Sequence, residues 1–292
     1  MSTIKSPPAA QLPASHVRDA LALVTEGRIY DLECKRFPGM PMFSGHPPFQ
    51  VLSYRTPRGL DNQRDQEWLA DNEVNFHWQS EMLMGTVHTG THIDALSHIT
   101  CGDEHGWFGG GCAERDLGDF GPLRDDSTAI PPIFTRGVLI DIAGFRGLDA
   151  LGAHEAIGAG EVREVLERDG LALRWGDVAL VRTGYLSGWP DADFIAAHEQ
   201  AGIDRDAALW LAEQGVVAVG GDTESLEVLP STVPGNPHPV HIALLVERGV
   251  FILEMVNCEQ LARDSVRQFC FACLPVGIRG ATGSMVRPVA LV

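Results

Sequence analysis

No stretch of this 292-residue chain approaches the ~20 consecutive apolar residues that a membrane-spanning helix needs. Its opening segment, MSTIKSPPAAQLPASHVRDAL, holds no apolar run of signal-peptide length, which sets the expectation of a cytoplasmic protein. Positive charge is also scarce: 22 Lys and Arg against 39 Asp and Glu give a formal net charge of −17. So acidic a surface repels phosphate backbones and anionic headgroups, which argues against nucleic acid and membranes as partners. The six cysteines (Cys34, Cys101, Cys112, Cys258, Cys270 and Cys273) show no paired spacing and read as reduced thiols. Neither a G-x-S-x-G elbow nor a Walker A loop is present. Without a low-complexity linker or an internal repeat, the simplest division is an N-terminal arm over 1–27 and one domain over 28–292.

What is present is a soluble balance of 45% apolar and 21% charged residues, enough for a substantial core. VRDALALVTEG reads as a short helix in an arm that packs on the body or on a neighbouring subunit. From residue 28 to about residue 87, short apolar stretches alternate with Pro and Gly, the rhythm of strands and loops. The second half changes period. EVREVLERDG precedes DVALVRTG, DRDAALWLAEQG precedes VVAVGGD, and PVHIALLVERG precedes VFILEMVN. Each helical period ends at Gly and a Val-rich strand follows, so with GVLIDIAG the chain supplies at least four buried strands with helices between them. That is an α/β layout.

Residues 88–98 read HTGTHIDALSH. Val87, Thr89, Thr91 and Ile93 are β-branched at period two, which puts His88, His92 and Asp94 on the other face of a strand. Fully extended, His88 and His92 would stand about 13 Å apart, near the limit for sharing one ion. Gly90 lies midway, where a bend would shorten that distance. Burying two histidines and an aspartate unpaired is costly, and a divalent cation removes the cost by binding all three. His98, beyond the strand, could be a fourth ligand, a base or a packed side chain.

Glu254 interrupts an otherwise apolar strand, and His241 lies on the preceding helix, so the returning chain could bring the two together. A paired, purely structural Glu254 is the other reading. Asp222 and Thr223 in GGDTES sit at a strand's end, where α/β proteins often place site residues, with a capping Asp as the other reading. HEAIG at His154 and HEQAG at His198 lack the second His of a zinc-protease motif. CFAC at Cys270–Cys273 puts its two thiols on opposite faces of a strand.

HTGTHIDALSH closely resembles the H-x-G-T-H-x-D-x-x-x-H signature of the metal-dependent cyclase and kynurenine-formamidase-like hydrolases, a family with isatin hydrolase-like members. DLECKRFPGMPMFSGHPPF, PPIFTRGVLIDIAG, HPVHIALLVERGVFILEMVN and LPVGIRGATGSMVRPVALV are similar to that family's other blocks, in order. The resemblance implies a swivelling β/β/α fold with a mixed sheet core and flanking helices, and a homodimer or homotetramer. It also implies hydrolysis of an amide or lactone carbonyl in a small-molecule substrate. Carried over, His88, His92 and Asp94 become ligands of a first Zn or Mn ion, and His98 becomes the catalytic histidine. His241 and Glu254, with Asp94 bridging, match the holders of a second ion. Some relatives resemble enzymes that work with one manganese, so the expectation is one or two ions per chain. The helix-to-Glu254 stretch is one residue longer than in kynurenine formamidases, and CGDEHGWFGGGCAERDL departs from a minimal formamidase. Both differences point away from kynurenine chemistry.

The expected function is hydrolysis of a small cyclic amide or lactone, or of an aryl formamide, by metal-activated water with His98 relaying a proton. Phe76, Trp78, Trp107 and Phe108 are candidate pocket walls, with core packing as the other possibility for each. Metal-dependent cyclase or lyase chemistry and a non-catalytic, metal-stabilised binding protein are the alternatives.

Overall fold

The computed structural model describes residue 9, residues 12–69 and residues 72–292. Nine strands make one mixed sheet: β1 (Ile29–Asp31), β2 (His92–Asp94), β3 (Ile133–Asp141), β4 (Val178–Arg182), β5 (Ala218–Gly221), β6 (Phe251–Glu254), β7 (Gln268–Cys273), β8 (Gly283–Met285) and β9 (Val289–Leu291). Across the sheet the order is β1-β9-β7-β3-β4-β5-β6-β2-β8. The middle four, β3 to β6, are parallel, and every other pairing is antiparallel. These four are the Val-rich runs of the sequence, and all their residues except Phe134 are buried. Burial on both faces explains why they read as continuous apolar stretches rather than alternating ones.

Parallel neighbours require crossovers, and helices supply them. Chain-order numbering starts with α1 (Ala14–Leu21), in the arm, which packs against β3 and β7. Between β3 and β4 runs α2 (Ala159–Arg168), whose Val162, Val165 and Leu166 face the core at helical spacing. Between β4 and β5 runs α3 (Arg205–Glu213), opened by the Asp204 side chain accepting from Ala207 N at 2.8 Å. The third crossover differs from the sequence reading. PVHIALLVER forms one α-turn, α4 (Pro239–His241), and then a π-helix over Ile242–Arg248. Its wider turns ride on buried Ala243, Leu244 and Leu245 and end at Gly249.

The stretch before the histidine motif is β1 followed by a two-stranded ribbon, Gln50–Arg55 against Ser80–Met84, outside the main sheet. A helix over Pro57–Gln63 interrupts the strands and loops expected there, because Thr56 caps Gly59 N at 3.1 Å and Pro57 stands at the first helical position. The ribbon leaves Val51, Leu52, Tyr54, Met82, Leu83 and Met84 exposed. No helix among the described residues is long and apolar enough to cross a membrane.

The loop leaving β5 is tied to the loop leaving β4. Asp222 is fully buried, and its carboxylate accepts from Thr183 N (2.9 Å), Thr183 Oγ1 (2.8 Å) and Gly184 N (2.8 Å). Asp222 is therefore a strut between two strand ends. Burial pushes its pKa up to about 6, outweighing the Thr183 donors that favour the charged form. That lies above the unfolded carboxylate value of about 3.9. The associated stability is thus greatest below about pH 4 and is lost as pH rises through about pH 6. Thermal melts of wild type and Asp222→Asn should accordingly show the wild-type advantage shrinking over that window. A difference that stays constant with pH would mean that folding leaves the Asp222 pKa unshifted.

Candidate metal centre

The centre is built on a strand register. In the antiparallel pairing of β2 with β6, His92 lies directly opposite Glu254, so their side chains meet as a cross-strand pair. On the other edge of β2, Asp94 lies opposite Gly283. A Cβ on Gly283 would meet His88 Cε1 at 2.7 Å, so the missing side chain makes room for that imidazole.

His88 arrives by a different route from the one its period suggested. A strand through Val87–Asp94 would carry it on the same face as His92, but the strand spans only His92–Asp94 and residues 87–91 bend. Gly90 makes the bend with φ +56°, and a Cβ there would stand 2.9 Å from the Cys34 carbonyl. Arg36 clamps the bent backbone, donating to the carbonyls of Thr89 (2.8 Å), Thr91 and Val286 (3.2 Å). Thr91 Oγ1 ties the same segment to Met255 O at 2.6 Å, next to Glu254.

The structure brings five of the predicted residues together. His88, His92 and Asp94 form one group able to hold an ion; Asp94, His241 and Glu254 form a second, so Asp94 belongs to both. All five are buried. His88 Nδ1 stands 2.8 Å from Asp94 Oδ1 without the alignment of a hydrogen bond. His92 Nε2 is 3.1 Å from Glu254 Oε2, and His241 Nε2 is 3.2 Å from Glu254 Oε1.

Each histidine is held by its other nitrogen. His92 Nδ1 donates to Gly90 O at 2.8 Å, His88 Nε2 meets Thr282 Oγ1 at 3.0 Å, and His241 Nδ1 meets Glu227 Oε1. Outer partners of this kind fix the ring and leave the inner nitrogen with a lone pair, the arrangement of metal-bound imidazoles. Inside the cluster, His88 Nδ1, His92 Nε2, both oxygens of Asp94 and Glu254 Oε1 are buried without hydrogen-bond partners. This donor set of imidazole nitrogen and carboxylate oxygen fits a divalent cation.

The electrostatics agree. Burial works against a charged Asp94, yet the surrounding histidines hold its carboxyl well below the usual range. Burial likewise opposes protonation of His241, but Glu227 and Glu254 pull its pKa well upward. The cluster is one in which two carboxylates bid for positive charge.

His98 stands just outside the ligand groups, its ring stacked 4.0 Å from that of His88. Burial pushes its pKa down to about 4, only partly offset by Asp94. It lines a cavity of about 270 Å³ together with Phe43, His46, Ile99, Glu224 and His238. Those other five were not singled out in the sequence, nor was Glu227. Glu227 is fully buried; besides His241 it holds His238 Nδ1 at 3.1 Å and accepts from Val240 N at 3.0 Å, capping the start of α4. Only the spacing of His238 and His241 around Pro239 offered a local sign of this arrangement.

The aromatic candidates lie elsewhere. Trp107 is buried with its Nε1 on Asp125 Oδ2 at 3.0 Å, and Phe108 packs over Gly249 in the core. Phe76 and Trp78 group with Trp68 on the excursion beyond the ribbon, at centroid distances of 5.5–6.4 Å. None of the four lines the cavity. Thr223 is buried beside Asp222 and does not line it either.

The Cyclase family model matches residues 30–228. No curated protein matches the chain. Among solved structures, a cyclase is similar at 24% identity, covering 99% of this chain and 96% of its own, with a TM-score of 0.85. Isatin hydrolase A from Ralstonia solanacearum is similar at 21% identity over 97% of this chain and 98% of its own, with a TM-score of 0.67. A protein described as a predicted metal-dependent hydrolase from Bacillus stearothermophilus follows at 19% identity, 91% and 98% coverage and a TM-score of 0.56. At these identities the structures share the fold. Since the family match takes in more than half of the 292 residues and includes the whole histidine motif, the chain belongs to the cyclase family.

Proposed function

We propose that this protein is a metal-dependent hydrolase that opens a small cyclic amide or lactone, or cleaves an aryl formamide. The observation that carries the reading is the set of three imidazoles, each tethered at its outer nitrogen, whose inner nitrogens converge with two buried carboxylates. His88, His92 and Asp94 would hold one Zn or Mn ion, and Asp94, His241 and Glu254 a second. When bound, such an ion acidifies water and polarises a carbonyl. The similar isatin hydrolases and metal-dependent hydrolases support the class of reaction.

The remaining work falls to the chain's own groups. His98 lines the cavity beside the ligand groups, within reach of a carbonyl seated there. A neutral imidazole there could take a proton from the attacking water and pass it to the departing nitrogen or oxygen. Phe43 and Ile99 give the cavity apolar wall, and its small volume limits the substrate to a few rings.

Elemental mass spectrometry on protein purified without chelator should find one to two Zn or Mn per chain. His98→Ala should keep that content while lowering kcat by roughly 10²–10⁴-fold. Protein that neither contains nor takes up Zn or Mn would end the metal reading, and full activity in the variant would end the relay.

Glu227 gives a second test, through ligand orientation. Glu227→Gln should weaken metal binding by roughly 10–100-fold in a chelator competition. Unchanged affinity would reduce Glu227 to a helix cap.

The reading includes a homodimer or homotetramer, supported by the exposed apolar ribbon. A lone two-stranded ribbon is marginal in water, and a second copy would cover its side chains. Light scattering should return a multiple of the 31.6 kDa chain mass. A monomer at micromolar concentration would refute this part.

A further inference from the structure

Two carboxyl groups line the cavity, Glu254 and Glu224. Glu254 belongs to a ligand group; Glu224 belongs to none among the described residues. Glu224 stands on the loop after β5, two residues beyond Asp222, and also borders the smaller recess under Pro41, Met42 and Phe43. The Tyr185 hydroxyl stands beside it, buried and without a hydrogen bond of good geometry among the described residues. Burial drives the Glu224 pKa up; Tyr185 offsets this in part, while Glu254 and Glu199 add to the rise. An acceptor is thus held at the cavity wall, close to the ion-ligating cluster, with the Tyr185 hydroxyl as its neighbouring donor among the described residues.

We propose that Glu224 is a specificity-determining residue that accepts the N–H of a substrate amide, selecting an N–H-bearing ring over its ring-oxygen counterpart. The inference rests on the hydrolase reading of the same site and deepens it. Both ionisation forms of a carboxyl offer an acceptor oxygen to an N–H. A lactone offers no donor there, so it leaves Glu224 desolvated and unpaired, and a site built to meet a polar group discriminates against ligands that lack it. The apolar wall of Phe43 and Ile99 suits the flat remainder of such a ring. Glu224 acts on ring choice alone; it holds no ion and moves no proton in the reaction.

The test is a matched pair of bicyclic probes, oxindole and 2-coumaranone, identical but for N–H against O. Binding is measured by calorimetry to metal-loaded His98→Ala protein, in which the rings persist. The lactam should bind roughly ten- to a hundredfold more tightly than the lactone. Glu224→Leu in that background should bring the two affinities within about twofold, with Glu224→Ala as the parallel variant if leucine impairs folding. A preference of equal size with and without Glu224, or no lactam binding at all, overturns the proposal. The ratio needs no turnover, so it stays readable even if the wild-type protein hydrolyses neither ring, a result that would count against the hydrolase reading instead.

Discussion

Asp94 and Glu254 are buried within ligand distance of the same imidazole, and the charged partners that reach them among the described residues are histidines alone. Two carboxylates cannot be taken out of water together without compensation, which for each ion amounts to several kcal/mol even after relaxation. The surrounding structure follows from that constraint. Three imidazoles point one nitrogen inward, and each outer nitrogen is given a partner so that the ring cannot turn away. Arg36 holds the backbone carbonyls of the bend, so the polar groups of the loop do not compete with those of the side chains.

The fold delivers these groups through register rather than proximity in sequence. β6 is the last of the parallel strands, and its far edge is free to accept an antiparallel neighbour. β2 fills it, placing His92 opposite Glu254 although 162 positions separate them in the chain. β8 closes the other edge of β2 with a glycine beside Asp94, which admits His88. A slip of one residue in either pairing would turn His92 and Asp94 to the opposite face. The long apolar runs of β3 to β6 therefore have a second consequence beyond stability: they fix the plane against which a short, polar strand can be registered.

How much of this could be read from the sequence depended on the range of the interaction. The helix-then-strand alternation was legible because period and turn chemistry are local, and α2, α3 and the four parallel strands lie where it put them. The histidine motif was legible as chemistry but not as geometry. β-branching argued for a strand through His88, whereas Arg36 and the Cys34 carbonyl, more than 50 residues upstream, impose a bend at Gly90. Aromatic candidates were picked by nearness in sequence and missed the cavity, because Trp107 and Phe108 face inward to Asp125 and Gly249. Glu227, His46 and His238 carried no signal strong enough to separate them from surface polar residues. Their positions depend on which loop ends the sheet brings together.

The loop after β5 shows why that last class matters most for substrate choice. Within six residues it presents three carboxyl groups to three different surroundings. Asp222 turns back to the β4 loop and is consumed by Thr183 and Gly184. Glu227 turns to α4 and is consumed by His238, His241 and Val240. Glu224, between them, is the one left facing the cavity. Its neighbours fix the loop at both ends, so a change at position 224 alters what the cavity meets without releasing His241 or the strand ends. A ring that displaced water from this wall would leave the Glu224 acceptor unpaired unless it brought a donor of its own.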